Sequence, residues 1–232
     1  CADKVLFSAD GFGKFGALSL TADKEWACAA SRWYFNIVGK YGAPVQTLLK
    51  KAAGLDIAYI CPLHGPVLSE NLGYYIDLYN TWSSYQPENE GVLVAYASIH
   101  GNTAKVAEYI GEQLKAKGVA KVVVSDLARE DMAEVIEDAF RYDRMILCAA
   151  SYDGGVFPCM QDFLHHLQSK TYQNRKVAVV ENGSWAPSAG KTMRGILDTM
   201  KNLEIVEPMV TIRSVMKEAD KAALEALVDK MV

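Results

Sequence analysis

The sequence predicts an α/β fold, a doubly wound parallel sheet of five strands in the order 2-1-3-4-5, preceded by a smaller layered region. From Gly91 onward, short apolar runs rich in β-branched residues alternate five times with segments of helical periodicity. That alternation implies a parallel sheet covered by helices on both faces. Polar turns rich in Ser, Gly and Asn follow the first, third and fourth runs. In a parallel sheet those turns share the carboxyl edge, where ligands bind.

Residues 1–85 read as part of a layered domain with two strands and several helices. Val5 to Ser8 is a short apolar strand ending at Asp10, and Gly11, Gly13 and Gly16 turn the backbone sharply after it. Helical segments follow from Asp23 through RWYFNIVGKY and again over Val45 to Ala53. Leu55 to Cys61 reads as a second strand leading into Pro62, Leu63, His64, Gly65 and Pro66. A helix from Glu70 to Ser84 then meets a linker, residues 86–90, whose Pro87 helps to stop it.

Residues 91–232 carry the regular pattern. Strands are expected at Val92 to Ala97, Lys121 to Ser125, Met145 to Ala149, Val177 to Val180 and Ile205 to Ile212. Helices are expected over residues 103–117, 130–141, 159–169, 188–201 and from 217 to the end. Default right-handed crossovers make the first and third strands neighbours that diverge at their carboxyl ends.

The chain has 232 residues, half of them hydrophobic, and a net charge of −4. The sequence pI near 5.6 and the absence of a Lys and Arg cluster give no electrostatic footprint for nucleic acid. No apolar run approaches a membrane span and no signal peptide opens the sequence. Cys1, Cys28, Cys61, Cys148 and Cys159 are odd in number and never form a CxxC pair, which suits a reducing cytoplasm better than a disulfide framework. The opening CADKVLFSADGFG reads like the middle of a domain, so a preceding half is expected elsewhere.

The turn after the first strand, Ser98-Ile99-His100-Gly101-Asn102-Thr103, has residue types suited to a phosphate monoester. Ser98 and Thr103 offer hydroxyls, Gly101 allows close backbone approach, Asn102 tolerates a left-handed turn, and Thr103 is a good N-cap. Helix amides and the positive dipole end complete an anion cradle. The turn contains no lysine and reads neither GxxxxGK[ST] nor GxGxxG, which argues against a nucleoside triphosphate or a Rossmann dinucleotide. A hydroxyl-rich, cation-free cradle suits the phosphate of FMN.

In the loop after the third strand, Ser151, Tyr152, Asp153, Gly154 and Gly155 combine a flat aromatic with backbone that can approach closely. In the loop after the fourth, Asn182, Gly183, Ser184, Trp185 and Ala186 carry an indole that can cover a ring. Each loop alone also reads as an ordinary cap or turn. Their convergence on one sheet edge points to FMN.

These residues also resemble a known family. YASIHGNTAKVAEYI, ASYDGGVFPCMQDFLHHL and ENGSWAPSAGKTM resemble the three FMN loops of flavodiiron proteins, also called A-type flavoproteins. LFSADGFGKFGAL, CPLHGP and LYNTWSSY extend the resemblance over almost the whole chain. The resemblance implies a flavodoxin-like domain preceded by the carboxyl-terminal part of a metallo-β-lactamase-like αββα domain holding two non-haem irons. It implies reduction of dioxygen or nitric oxide, a rubredoxin-like electron donor and a head-to-tail homodimer. With no CxxC pair at the carboxyl end, the donor is expected to be separate.

By the same resemblance Asp10 is a bridging carboxylate and His64 a terminal iron ligand. Read from the residues alone, they are a turn aspartate and a turn histidine. The family's HxExDH motif and its further histidine are absent from this sequence. The diiron site is therefore expected only if the missing amino-terminal half is present, possibly as a separate fragment. The alternatives are an FMN electron carrier without catalysis and an NAD(P)H-dependent flavin reductase.

Overall fold

A computed structural model describes residues 3–17 and 26–232 of the chain. It divides into two units, Cys1–Glu88 and Asn89–Val232. The expected helix start at Asp23 lies outside the described residues, as does Cys1.

In the first unit β1 (Val5–Ala9) pairs in parallel with β2 (Tyr59–Pro62), Leu6 opposite Ile60. Helix α1 (Trp26–Trp33) continues through a π turn (Tyr34–Val38) and a 3-10 turn (Gly39–Tyr41) into α2 (Gly42–Ala52). Helix α3 (Leu72–Ser83) packs on α2. The core is largely aromatic: Phe12, Trp26, Trp33, Tyr34, Phe35, Tyr79 and Trp82 are buried. Tyr34, Tyr79 and Trp82 form edge and tilted pairs with ring centroids 5.2 to 5.4 Å apart. Trp82 finds a partner for its indole N–H in Glu88, at 2.7 Å.

The second strand is shorter than the sequence suggests. The Leu55 amide still bonds back to Ala52 at the helix end, and Leu55 is 49% exposed. Pairing begins only where the Ala58 and Tyr59 amides reach Lys4 O. An apolar run is thus spent partly on a turn, because the partner strand starts only at Val5.

The second unit contains β3 (Asn89–Ala97), α4 (Asn102–Ala116), β4 (Val122–Asp126), α5 (Met132–Arg141) and β5 (Tyr142–Tyr152). It continues with β6 (Gly155–Val156), α6 (Pro158–Ser169), β7 (Arg175–Asn182), α7 (Ala189–Leu197), β8 (Leu203–Ile205), β9 (Val210–Ile212) and α8 (Glu218–Asp229). The strand order is β4-β3-β5-β7-β8, with β9 also on β7, which is the doubly wound order expected. Val92, Val94, Ile146, Cys148, Ala178 and Val180 bury one face of the sheet with residues of α4 and α8. Alternate strand residues, Leu93, Ala95, Met145, Leu147, Val177 and Val179, are equally buried, and α5, α6 and α7 pack against these strands.

Two expectations are corrected. The fifth strand is not continuous over Ile205 to Ile212 but splits into β8 and β9 around Pro208, which has no N–H to give to the ladder. The loop after the third strand is not a simple loop, because β5 runs on to Tyr152 and turns back through β6.

Candidate functional site

The turn from β3 to α4 is built around Gly101. Its φ of +85° is a left-handed conformation, and a Cβ there would meet nothing within 4 Å, so the backbone angle alone selects glycine. Its amide donates to Ser98 Oγ at 3.0 Å, and its carbonyl accepts from the Lys105 amide at 3.1 Å, opening the helix. Gly101, not Thr103, is therefore the N-cap. Ser and Thr favour that position in general, but here the left-handed residue occupies it. Thr103 sits two residues later, as the second residue of the helix, and is only 3% exposed. Helix α4 has no side-chain cap and no acidic residue in its first turn, so nothing anionic competes at its positive end.

In the third loop Ser151 pairs with Val156 and Tyr152 with Gly155. Asp153 and Gly154 both have positive φ, 46° and 71°, as a two-residue type I′ hairpin turn requires. Tyr152 is 45% exposed and packs edge-on against Phe157.

The fourth loop is held at its base by Asn182. Its amide accepts from Ser214 N at 3.0 Å and donates to Ser214 O at 2.9 Å, so it ties down the segment after β9. The Gly183 amide donates to Ile212 O at 3.0 Å. Trp185 is 88% exposed.

These loops line an open cavity of about 220 Å³ at the carboxyl edge of the sheet. The first loop lines it with Ser98, Ile99, His100, Asn102 and Thr103, the third with Ser151, and the fourth with Asn182, Gly183 and Ser184. Gly101 shapes the turn without lining it. Tyr152, Asp153, Gly154, Gly155, Trp185 and Ala186 do not line it; Tyr152 and Trp185 directly follow the lining residues Ser151 and Ser184, and the others lie further along the same two loops. Ala150 and Ser214 also line it, and neither was expected. Ser214 follows the last sheet strand at the same edge, which is the signal that could have found it. No Lys or Arg lines the cavity, so an anion there meets amides and hydroxyls.

That set fits the polar tail of FMN: Thr103, a buried residue with a hydroxyl, lines the cavity at a helix start without a side-chain cap. Asp10 and His64 are in the first unit, each just beyond one of two paired parallel strands. His64 Nε2 lies 3.9 Å from Asp10 Oδ1, and both side chains are more than half exposed. Trp33 braces both, its indole N–H donating to Asp10 O at 3.0 Å and its ring lying 4.6 Å from the His64 ring. Among the described residues no group of three His, Cys, Asp or Glu side chains could hold a metal ion. Two donors do not make a diiron site, so these residues alone do not fit that group. Among the described residues no helix is long and apolar enough to cross a membrane.

The flavodoxin domain family matches residues 93–221. Rubredoxin oxygen:oxidoreductase from Desulfovibrio gigas aligns over 99% of this chain and 59% of its own, with a TM-score of 0.88 at 20% identity. A coenzyme F420H(2) oxidase from Methanothermobacter marburgensis is 28% identical over 87% of this chain and 50% of its own length. An anaerobic nitric oxide reductase flavorubredoxin from Escherichia coli is 24% identical over 81% of this chain and 40% of its own length. The chain thus spans about half the length of the curated relatives it matches.

Proposed function

The chain belongs to the flavodoxin domain family and has the fold of the matching part of flavodiiron proteins, and from that premise we propose that it binds FMN as the electron-transfer portion of an oxygen or nitric oxide reductase. The observation that carries the reading is the cavity where β3 and β5 diverge, lined from three expected loops by hydroxyls and amides without a cation. Bound FMN supplies one-electron acceptance and donation. The Thr103 hydroxyl and the first-turn amides of α4 hold its phosphate, with Ser98 bracing Gly101 behind them. Tyr152 and Trp185 cover the ring and limit water at its faces, and the Asp153–Gly155 backbone offers polar groups to its edge.

For the longer protein, the reading is a gas reductase supplied by a rubredoxin-like donor and acting as a homodimer. The names of the relatives support the oxidoreductase class. Asp10 and His64 serve there as two ligands of a metal centre whose other donors come from residues outside this sequence. An electron carrier without catalysis remains the reading for the chain in isolation.

The test is titration of the purified chain with FMN, following absorption and flavin fluorescence, with iron measured on the same sample. One FMN per chain and less than two irons is the expected result. Failure to take up FMN refutes the reading. Bleaching of bound flavin by NADPH alone would turn it toward a flavin reductase.

A further inference from the structure

The start of α7 is capped in an unusual way. Ser188 stands at its N-cap, where a serine ordinarily accepts from an amide two or three residues on, yet it makes no such bond. Its hydroxyl donates instead to Gly155 O, across in the hairpin, at 2.8 Å. The capping passes to Ser151, at the end of β5, whose Oγ accepts from the Ser188 and Ala189 amides at 2.8 and 3.1 Å. Two serines from different loops thus tie each loop to the other. Thr192 fixes the far side by bonding Ser188 O through its hydroxyl, at 3.1 Å, and its amide, at 3.2 Å. Packing closes the arrangement, since a Cβ on Gly183 would lie 3.0 Å from Ser151 Oγ and 2.8 Å from Pro187 Cα.

This clasp limits what the hairpin turn can do. Ser151 and Tyr152 are in register with Val156 and Gly155, and the Gly155 carbonyl is anchored to Ser188. The remaining freedom lies at Asp153 and Gly154, and a Cβ on Gly154 would meet nothing within 4 Å. The geometry points to Ser188 as a positioning residue for the flavin-binding turn: its hydroxyl fixes the Gly155 carbonyl, and through it the polar groups that the turn presents to the ring. The inference rests on the FMN reading. Oxidised flavin has an acceptor nitrogen where the reduced ring has an N–H donor, so a turn held in one orientation discriminates between the two forms. A loosened turn adapts to both.

The test compares the wild-type chain with Ser188→Ala, which keeps the amide bonded to Ser151, and with Ser188→Thr, which keeps the hydroxyl. Without cofactor, the Gly154 and Gly155 amides should exchange about tenfold faster in Ser188→Ala. With FMN, the Kd should rise about fivefold, the size of one lost hydrogen bond. The ratio of affinities for oxidised and reduced flavin should change about tenfold, or about 30 mV in the two-electron potential. Ser188→Thr should restore all three. FMN bound with unchanged affinity and potential in Ser188→Ala overturns the inference even if the variant melts lower, because Ser188 is then only a helix-start residue. A wild-type chain that takes up no FMN overturns the binding reading itself, and this inference with it.

Discussion

Thr103→Ala separates a phosphate cradle from an ordinary helix start. The residue is 3% exposed, lines the cavity and sits on a helix without a side-chain cap. A hydrogen bond from a neutral hydroxyl to a charged phosphate contributes about 1.5–3 kcal/mol. Its loss should weaken FMN binding about 10- to 150-fold. Stability responds differently: alanine is the better helix former by about 0.5 kcal/mol, which offsets part of the lost methyl packing. The assay is a fluorescence titration with FMN and with riboflavin, which lacks the phosphate. The penalty should appear for FMN and vanish for riboflavin, and Thr103→Ser, which keeps the hydroxyl, should bind FMN within about threefold of wild type. Equal losses for both ligands, or none for either, would refute the placement of the phosphate at this helix.

Trp185→Ala should alter the visible spectrum or fluorescence of bound flavin while leaving stability within about 0.5 kcal/mol, since the indole is 88% exposed; an unaltered spectrum removes Trp185 from the ring site. The Tyr109 hydroxyl on α4 donates to Glu225 Oε1 on α8 at 2.7 Å, and this bond, with burial, pushes it up to about 12 from its ordinary 10.0. Because the folded value is the higher, the stabilisation is fully present below pH 10 and is lost as the pH rises through 12. Urea unfolding of wild type and Tyr109→Phe should therefore show a gap at pH 8 that closes between pH 10 and 12, and a gap constant over that range would exclude this origin.

The sheet was legible because its central strands are buried on both faces, so Val92 to Ala97 and Val177 to Val180 stand out as uninterrupted apolar runs. Composition alone could not show the split at Pro208, which depends on how proline interrupts a ladder. The Asp153-Gly154 pair carries a recognised hairpin signal, but the second glycine beside it made the segment read as open loop. In the candidate site the residue types were legible and their partners were not. Asn182 turns its amide to Ser214, and Ser151 turns its hydroxyl to the start of α7, because the nearest unsatisfied backbone groups claim them. The positions of Ser214, after the last sheet strand, and Ser188, at a helix start, were legible, but their partners were not, since these lie on strands and loops far away in sequence.

Asp10 and His64 illustrate the same limit from the other side. They are far apart in sequence, and no spacing rule joins them. What brings them to 3.9 Å is the parallel register of β1 and β2, which delivers the residues beyond Ala9 and beyond Pro62 to one edge. The Leu63 amide reaches Ala9 O at 2.9 Å and the Lys14 amide reaches His64 O at 3.2 Å, so backbone bonds beyond the strands hold the two turns together. The cavity of the second unit follows the same rule, with β3, β5 and β7 delivering their following loops to a shared edge. Parallel pairing converts distant turns into neighbours at carboxyl ends. A turn residue in such a chain is therefore best read together with the turns that follow the adjacent strands: Asp10 alone is a turn aspartate, and only the pairing of β1 with β2 shows that it stands beside His64.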